Sequence, residues 1–289
     1  MFRYVLLTLL LIFGLWLILA PFLEKTVSIN DSTRVCLVTG VSSGIGLEIA
    51  KKMVKKGWRV IGIARRQNKL DSITKLLGDR NFIPFACDVS LSDQVHKISE
   101  EIRTKGLKPT LFFLNAGAGE IESLYKISLE KHRKFFNVNY FGVVGWVEEW
   151  LSQVKNYGGG TFVATSSITS LFAPPGSAAY SASKAAVNLC FQAWRLQYLN
   201  ENIGFSLVLP GPIDTEMLKS GASLPFVQKP DETADYIVEE IFKGAKYIYP
   251  SWFYSVILRL IGFLPDRVLL KLLSYSESSL PQRTLTVTP

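Results

Sequence analysis

The chain has only three cysteines and two histidines in 289 residues. Cys36, Cys87 and Cys190 are far apart, and the first two fall in apolar, strand-like runs. That excludes a disulfide framework or a metal-ligand spacing and leaves three buried thiols as the expectation. His96 and His132 sit in polar, helix-like stretches away from every motif, so neither a Ser-His-Asp hydrolase set nor a metal cluster is indicated. Charge is scarce as well, at 19% of residues, and no internal repeat or linker marks a second globular domain. Hydrophobic residues make up 48% and support a substantial core. Acidic residues are the minority, 24 against 32 basic, for a net charge of +8. The excess is concentrated between Leu47 and Arg80, where ten basic residues face three acidic ones. This stretch lacks a basic–aromatic platform or a recognition motif, and nucleic acid is not an expected partner. Lys51, Lys52, Lys55 and Lys56 alternate with Ile49, Ala50, Met53 and Val54, the pattern of an amphipathic helix with a solvated face.

What is present begins with Tyr4–Leu23, "YVLLTLLLIFGLWLILAPFL", twenty residues without a charge. As a helix it spans about 30 Å, the thickness of a bilayer's hydrocarbon core. A cleaved signal peptide would have a shorter apolar region and small residues at −3 and −1; here Pro21 follows Ala20 and Ile18 occupies −3. The expectation is an uncleaved single-pass anchor within residues 1–30. Arg3 on one side and Lys25 and Arg34 on the other leave its orientation open, and the Asn30-Asp31-Ser32 sequon bears only on a lumenal domain.

From Asp31 to Pro250, short β-branched runs alternate with helical patterns. Strands are expected at 34–39, 59–64, 82–87, 110–114, 161–165, 205–209 and 246–249. Helices are expected at 45–56, 91–105, 129–155, 180–200 and 232–243. Such alternation implies an α/β domain, a parallel sheet covered by helices on both faces. Directly after the first strand comes "TGVSSGIG", Thr39–Gly46. Gly40, Gly44 and Gly46 permit a tight turn and close backbone approach, and the helix start offers free N–H groups to a phosphate. Farther on, Tyr180 precedes Lys184 by one helical turn, so the two share a face. An ammonium that close favours phenolate and should draw the tyrosine below its usual pKa of about 10, one route to a phenolic acid/base.

Taken in order, Thr39–Gly46, "LNAG" at Leu114–Gly117, Asn139 in "VNYFG", Ser167, the Tyr180/Lys184 pair and "PGPIDT" at Pro210–Thr215 resemble the short-chain dehydrogenase/reductase family. The resemblance covers Arg34 to Pro250 and has the flavour of membrane-anchored hydroxysteroid or retinol dehydrogenase-type members. It implies a Rossmann-type doubly wound sheet of seven strands in the order 3-2-1-4-5-6-7, and a homodimer or homotetramer. It assigns the hydroxyl proton to Tyr180, pKa control and the nicotinamide ribose to Lys184, the substrate oxygen to Ser167 and a water-linked proton path to Asn139. Asn137 reads as a helix-surface amide, and Ser166 as a strand-end residue. The cofactor would be held by Gly40, Ser42, Ser43, Gly44, Ile45 and Gly46, then by Asn115, Ala116 and Gly117. Pro210, Gly211, Ile213 and Thr215 would close the far side, with Tyr180 and Lys184 beneath. Leu114 departs from the family, many of whose members have asparagine there; altered sheet support with intact cofactor binding is expected.

In this fold an acidic residue ending the second strand accepts bonds from the adenosine ribose of NAD. Here Ala64 stands at that place and Arg65 follows, which favours NADP(H) with Arg65 on the 2′-phosphate. Arg66 reads as a solvated neighbour, and Asp88 as an adenine contact or a turn cap. The substrate loop of the family corresponds to 216–229, where Met217, Leu218, Leu224, Pro225 and Phe226 offer apolar lining. Beyond it, 251–273 is apolar with interspersed Arg259, Arg267 and Lys271, and Pro265 splits it into two helices. A membrane-surface helix pair, packing on the body and a subunit contact remain alternatives for this 251–274 extension. Residues 275–289 read as a disordered tail. The function these features imply is a membrane-anchored, NADP(H)-dependent oxidoreductase of a lipophilic carbonyl or alcohol (steroid, retinoid, long-chain or sphingoid ketone). In a eukaryotic cell the endoplasmic reticulum membrane is the expected location. The alternative is a non-catalytic NADP(H)-binding membrane scaffold, whose signature would be a damaged catalytic set; Asn139, Ser167, Tyr180 and Lys184 are all present.

Overall fold

The seven strands are β1 Val35–Thr39, β2 Arg59–Ala64, β3 Phe82–Ala86, β4 Leu111–Leu114, β5 Gly160–Thr165, β6 Ile203–Val208 and β7 Tyr247–Ile248. They form one parallel sheet in the order β3-β2-β1-β4-β5-β6-β7, as expected. This computed structural model describes residues 29–120, 127–218 and 226–274, together with Ile12, Gly14 and Trp16. Apart from those three positions, the expected anchor lies outside the described residues, as do 219–225 and the tail 275–289. Among the described residues no helix is long and apolar enough to cross a membrane.

The helices are α1 Gly44–Lys55, α2 Gln67–Leu77, α3 Ser92–Thr104, α4 Leu129–Phe136, α5 Gly142–Asn156, α6 Ala178–Gln197, α7 Pro230–Phe242, α8 Trp252–Ile261 and α9 Asp266–Ser274. Alternate residues along each strand feed two separate cores, because successive side chains point to opposite faces. Leu37, Ile63, Phe112, Phe162 and Phe205 meet α3, α5 and α6 on one face. Cys36, Val38, Val60, Phe113 and Val208 meet α1, α2 and α7 on the other. The connections from β1 and from β4 therefore leave on opposite faces, and a crevice opens at their carboxyl ends. Across the first core, Phe112, Phe162 and Phe205 stand in register on β4, β5 and β6. Their rings stack at 4.7 and 5.5 Å between centroids. Trp150 of α5 packs on Phe112, and Phe191 and Trp194 of α6 pack on Phe205. This aromatic row fixes the two helices that approach the crevice.

Three differences from the expected elements have physical causes. Helix α2 is absent from the expectation because its inward stripe is only Leu70 and Ile73 in an otherwise polar segment. Strand β6 begins at Ile203, before the expected Phe205, because Ile203 pairs with Gly160. The long helix expected over 129–155 is interrupted by a π-helical turn at Asn137–Phe141 between α4 and α5. Leu114 lies within the apolar core, paired with Ala164, so sheet support there comes from packing. Cys36 and Cys87 are buried and Cys190 partly so, and all three are free.

Gly62 on β2 gives a measurable test of this packing. A Cβ there would lie 2.1 Å from the Phe82 ring. Gly62→Ala should destabilise the protein by about 1–3 kcal/mol through overpacking, and Phe82→Leu in the same chain should recover part of the loss. Urea unfolding followed by tryptophan fluorescence reads both; equal midpoints for Gly62→Ala and the parent would contradict the close packing.

Candidate active site

The crevice is floored by the turn after β1. Gly40 and Gly44 take positive φ, 75° and 60°, and a Cβ on Gly40 would stand 2.9 Å from the Ala116 backbone. At Gly46 it would stand 2.5 Å from the Gly40 carbonyl, so α1 can lie close against the turn only without a side chain there. Ser43 is the N-cap of α1 but makes no side-chain capping bond, which leaves first-turn N–H groups without that partner. Such a start, lined by glycine, suits the pyrophosphate of a dinucleotide. Gly46 itself is behind the wall, whereas Gly40, Ser42, Ser43, Gly44 and Ile45 line a cleft of about 1030 Å³.

The neighbouring strand ends are tied by a polar network. Thr39 Oγ1 accepts from the Ala116 N–H at 2.9 Å, and Thr165 Oγ1 donates to Asn115 Oδ1 at 3.0 Å. Lys184 Nζ, only 3% exposed as a residue, donates to the Thr165 carbonyl at 2.6 Å. The π-turn delivers Asn139 into this network. Its amide spans the Ala118 backbone, accepting from N–H at 2.8 Å and donating to O at 2.9 Å, and it donates to Ser183 Oγ at 3.0 Å. Asn139 is fully buried and stands behind the cleft wall, while Asn137 is exposed and lines it.

Tyr180, Ser167 and Lys184 converge at the other end of the cleft. The Tyr180 hydroxyl bonds Ser167. Ser167 Oγ also accepts from the Thr169 N–H at 3.1 Å, and Lys184 Nζ is 5.9 Å from the Tyr180 ring centroid. The expected downward shift of the tyrosine is corrected here. Burial raises the Tyr180 hydroxyl above its ordinary 10.0 and outweighs the Ser167 bond. Burial also lowers Lys184 from 10.5 to about 8. Both shifts have one cause: a low-dielectric pocket disfavours either charged form. Ser166 is buried and bonds the Lys184 carbonyl, consistent with a strand-end residue.

At the opposite end, Arg65 and Arg66 both line the cleft. Arg65 pairs with Asp88 at 3.5 Å. Burial works to raise the Asp88 carboxyl but loses to two Ser90 bonds and to Arg65, so its pKa falls below 3.8. Asp88 thus both caps the turn and faces the cleft. Arg66, read from sequence as merely solvated, bonds Ser42 Oγ at 2.9 Å and Glu216 at 3.1 Å. No local pattern marks it, since its partners are remote in sequence. Pro210, Gly211, Ile213 and Thr215 complete the wall beside Asn115, Ala116 and Gly117. Met217 and Leu218 line it too, together with Glu120, Lys134 and Ser177, which the sequence did not suggest. Phe226 is 76% exposed and off the described wall, and Leu224 and Pro225 lie outside the described residues.

A family model described as short chain dehydrogenase matches residues 34–223. The uncharacterized oxidoreductase YbbO of Escherichia coli is 29% identical over 257 residues, covering 82% of this chain and 93% of that protein. Retinol dehydrogenase 8 of Bos taurus is 27% identical over 248 residues, covering 80% and 79%. Among solved structures, a short chain dehydrogenase of Burkholderia cenocepacia in complex with NADP superposes with a TM-score of 0.70 at 26% identity, covering 83% of this chain and 96% of that one.

The buried ammonium has a consequence for stability. Between pH 8 and 10.5 the unfolded chain keeps the Lys184 proton that the folded protein has lost, so this group's contribution to stability rises with pH through that window and is flat below it. The stability of the parent relative to Lys184→Met should therefore increase by on the order of 2 kcal/mol from pH 7 to 10. Denaturant unfolding at both pH values measures it, and a pH-independent difference would refute the depressed lysine.

Proposed function

The chain belongs to the short chain dehydrogenase family, and from that premise we propose that it is a membrane-anchored, NADP(H)-dependent oxidoreductase of a lipophilic carbonyl or alcohol. It is an oxidoreductase acting between CH–OH and C=O groups, on a fold that binds a nicotinamide cofactor. That cofactor, when bound, supplies or removes the hydride.

In this reading the glycine turn and the first turn of α1 hold the pyrophosphate, and Lys184 holds the nicotinamide ribose. Ser167 donates a hydrogen bond to the substrate oxygen and steadies its developing charge. The Tyr180 hydroxyl gives that oxygen its proton in reduction and takes it back in oxidation. Asn139, bonded to Ala118 and Ser183, keeps the strand end and α6 in register and supports proton supply toward Lys184. The observation carrying the proposal is Tyr180 bonded to Ser167 beside a buried Lys184, at the end of a cleft that begins at an uncapped, glycine-lined helix start. Arg65 and Arg66, with no carboxylate at Ala64, support NADP(H). The retinol dehydrogenase relative and Met217 and Leu218 on the wall support a lipophilic substrate. Self-association as a homodimer or homotetramer belongs to the same proposal.

Membrane attachment rests on Tyr4–Leu23 and on a second feature. Trp252, Phe253, Leu260 and Phe263 are 62%, 53%, 48% and 82% exposed on and beside α8. Arg267 and Lys271 in α9 add cationic residues to these apolar helices, a composition that suits an anionic bilayer surface, whereas Arg259 of α8 donates inward to the Tyr249 hydroxyl.

Two experiments test the reading. Detergent-purified protein incubated with NADPH and lipid extracts should yield reduced products identifiable by mass spectrometry. Tyr180→Phe should lower that turnover by at least ~10²-fold with NADPH affinity little changed; near-normal turnover would remove Tyr180 from the chemistry. Separately, protein lacking residues 1–28 should still sediment with anionic liposomes, and polar replacements at Trp252, Phe253, Leu260 and Phe263 should release it. A truncated protein indifferent to liposomes would assign α8 and α9 to the fold or a subunit contact.

A further inference from the structure

Both arginines at the dinucleotide end of the cleft already hold a carboxylate, but the two carboxylates differ. Asp88 is anchored by two bonds from Ser90. Glu216 belongs to the segment following "PGPIDT", and its pair with Arg66 is exposed, 57% and 43%. Arg66 spans two elements: Nη2 donates to Ser42 Oγ in the glycine turn and Nη1 donates to Glu216 Oε2. The residue before Glu216, Thr215, has its methyl 3.0 Å from where a Cβ on Gly44 would stand. The residue after it, Met217, has its sulfur 3.3 Å from the corresponding point on Gly119, and the Tyr180 ring lies 3.0 Å from that same point. One short segment thus touches the cofactor turn, Arg66 and the surroundings of Tyr180.

We propose that Glu216 occupies Arg66 as an internal competitor for the 2′-phosphate of the cofactor, so that it sets the strength of phosphate recognition and ties it to the segment beside Tyr180. The proposal rests on the NADP(H) reading above. A phosphate offers a guanidinium more charge and more acceptors than a carboxylate does, and an exposed pair exchanges partners readily. Arrival of the phosphate releases Glu216, and with it the restraint on Met217 and Leu218.

The test compares adenosine 2′,5′-bisphosphate with 5′-AMP, which differ only in the 2′-phosphate, binding to the full chain in detergent by calorimetry. Glu216→Gln should tighten the bisphosphate about three- to fivefold, the scale of one exposed ion pair, and leave 5′-AMP unchanged. In an Arg66→Gln background that gain should vanish. Amide exchange at Met217 and Leu218 should speed up with the bisphosphate bound and not with 5′-AMP. Equal effects on both ligands, a gain that survives without Arg66, or exchange that ignores the bisphosphate would overturn the proposal. Equal affinity of the parent for both ligands would instead sink the NADP(H) reading, and the proposal with it. A parent that prefers the bisphosphate and a Glu216→Gln protein with the same preference would sink the proposal alone.

Discussion

Lys184 places an ammonium inside the protein, and the carboxyl edge of the sheet is arranged around satisfying it. A buried charge without a partner costs several kcal/mol, so a carbonyl must be held at the right place. The Thr165 carbonyl is that acceptor, and Thr165 is in turn bonded to Asn115, whose neighbour Ala116 is bonded to Thr39. Strands β1, β4 and β5 and helix α6 therefore end in one shared network. Displacing any member would leave a polar group buried and unsatisfied, which makes the cleft rigid where the glycine turn and Tyr180 face each other across it.

Rigidity at that edge is possible because apolar packing has already fixed the elements. The Phe112–Phe162–Phe205 row crosses three strands and carries Trp150, Phe191 and Trp194 on its face. α6 cannot rotate without breaking those contacts, and Tyr180 and Lys184, which share a helix face with Phe191 eleven and seven residues farther on, are aimed into the cleft by that same stripe. The π-turn serves the same end from the adjacent helix. One extra residue per turn changes the facing of Asn139, which reaches the Ala118 backbone and Ser183.

The two ends of the cleft follow different electrostatic rules. Near Tyr180 burial pushes the phenol up, against the Ser167 bond, and pushes the amine down. A phosphate- or ribose-bearing ligand reaching Lys184 meets a group poised between its two protonation states near pH 8. At the arginine end, the Arg66–Glu216 pair is exposed and exchangeable, so ligand charge can rearrange it with little penalty. The fold thus joins a fixed chemical end to an adjustable recognition end, and the segment around Glu216 is in contact with both.

Much of this was legible in order along the chain. Strand positions followed from short β-branched runs, the sheet order from the family the motifs resemble, and the glycine turn from its place between a strand and a helix. Periodicity and spacing are local properties that act over a few residues; they marked the elements and put Tyr180 and Lys184 on one helix face, whereas the sheet order and the parts expected of Ser167 and Asn115 came from the resemblance. Polar α2 escaped because its buried stripe is two residues wide. The π-turn escaped because it changes no composition. Tertiary structure alone decided that Arg66 is engaged, since its partners Ser42 and Glu216 are 24 and 150 residues away. It also decided the sign of the Tyr180 shift. Sequence spacing supplied the neighbouring ammonium, but the surrounding burial, which no spacing encodes, sets the larger energy and raises the phenol.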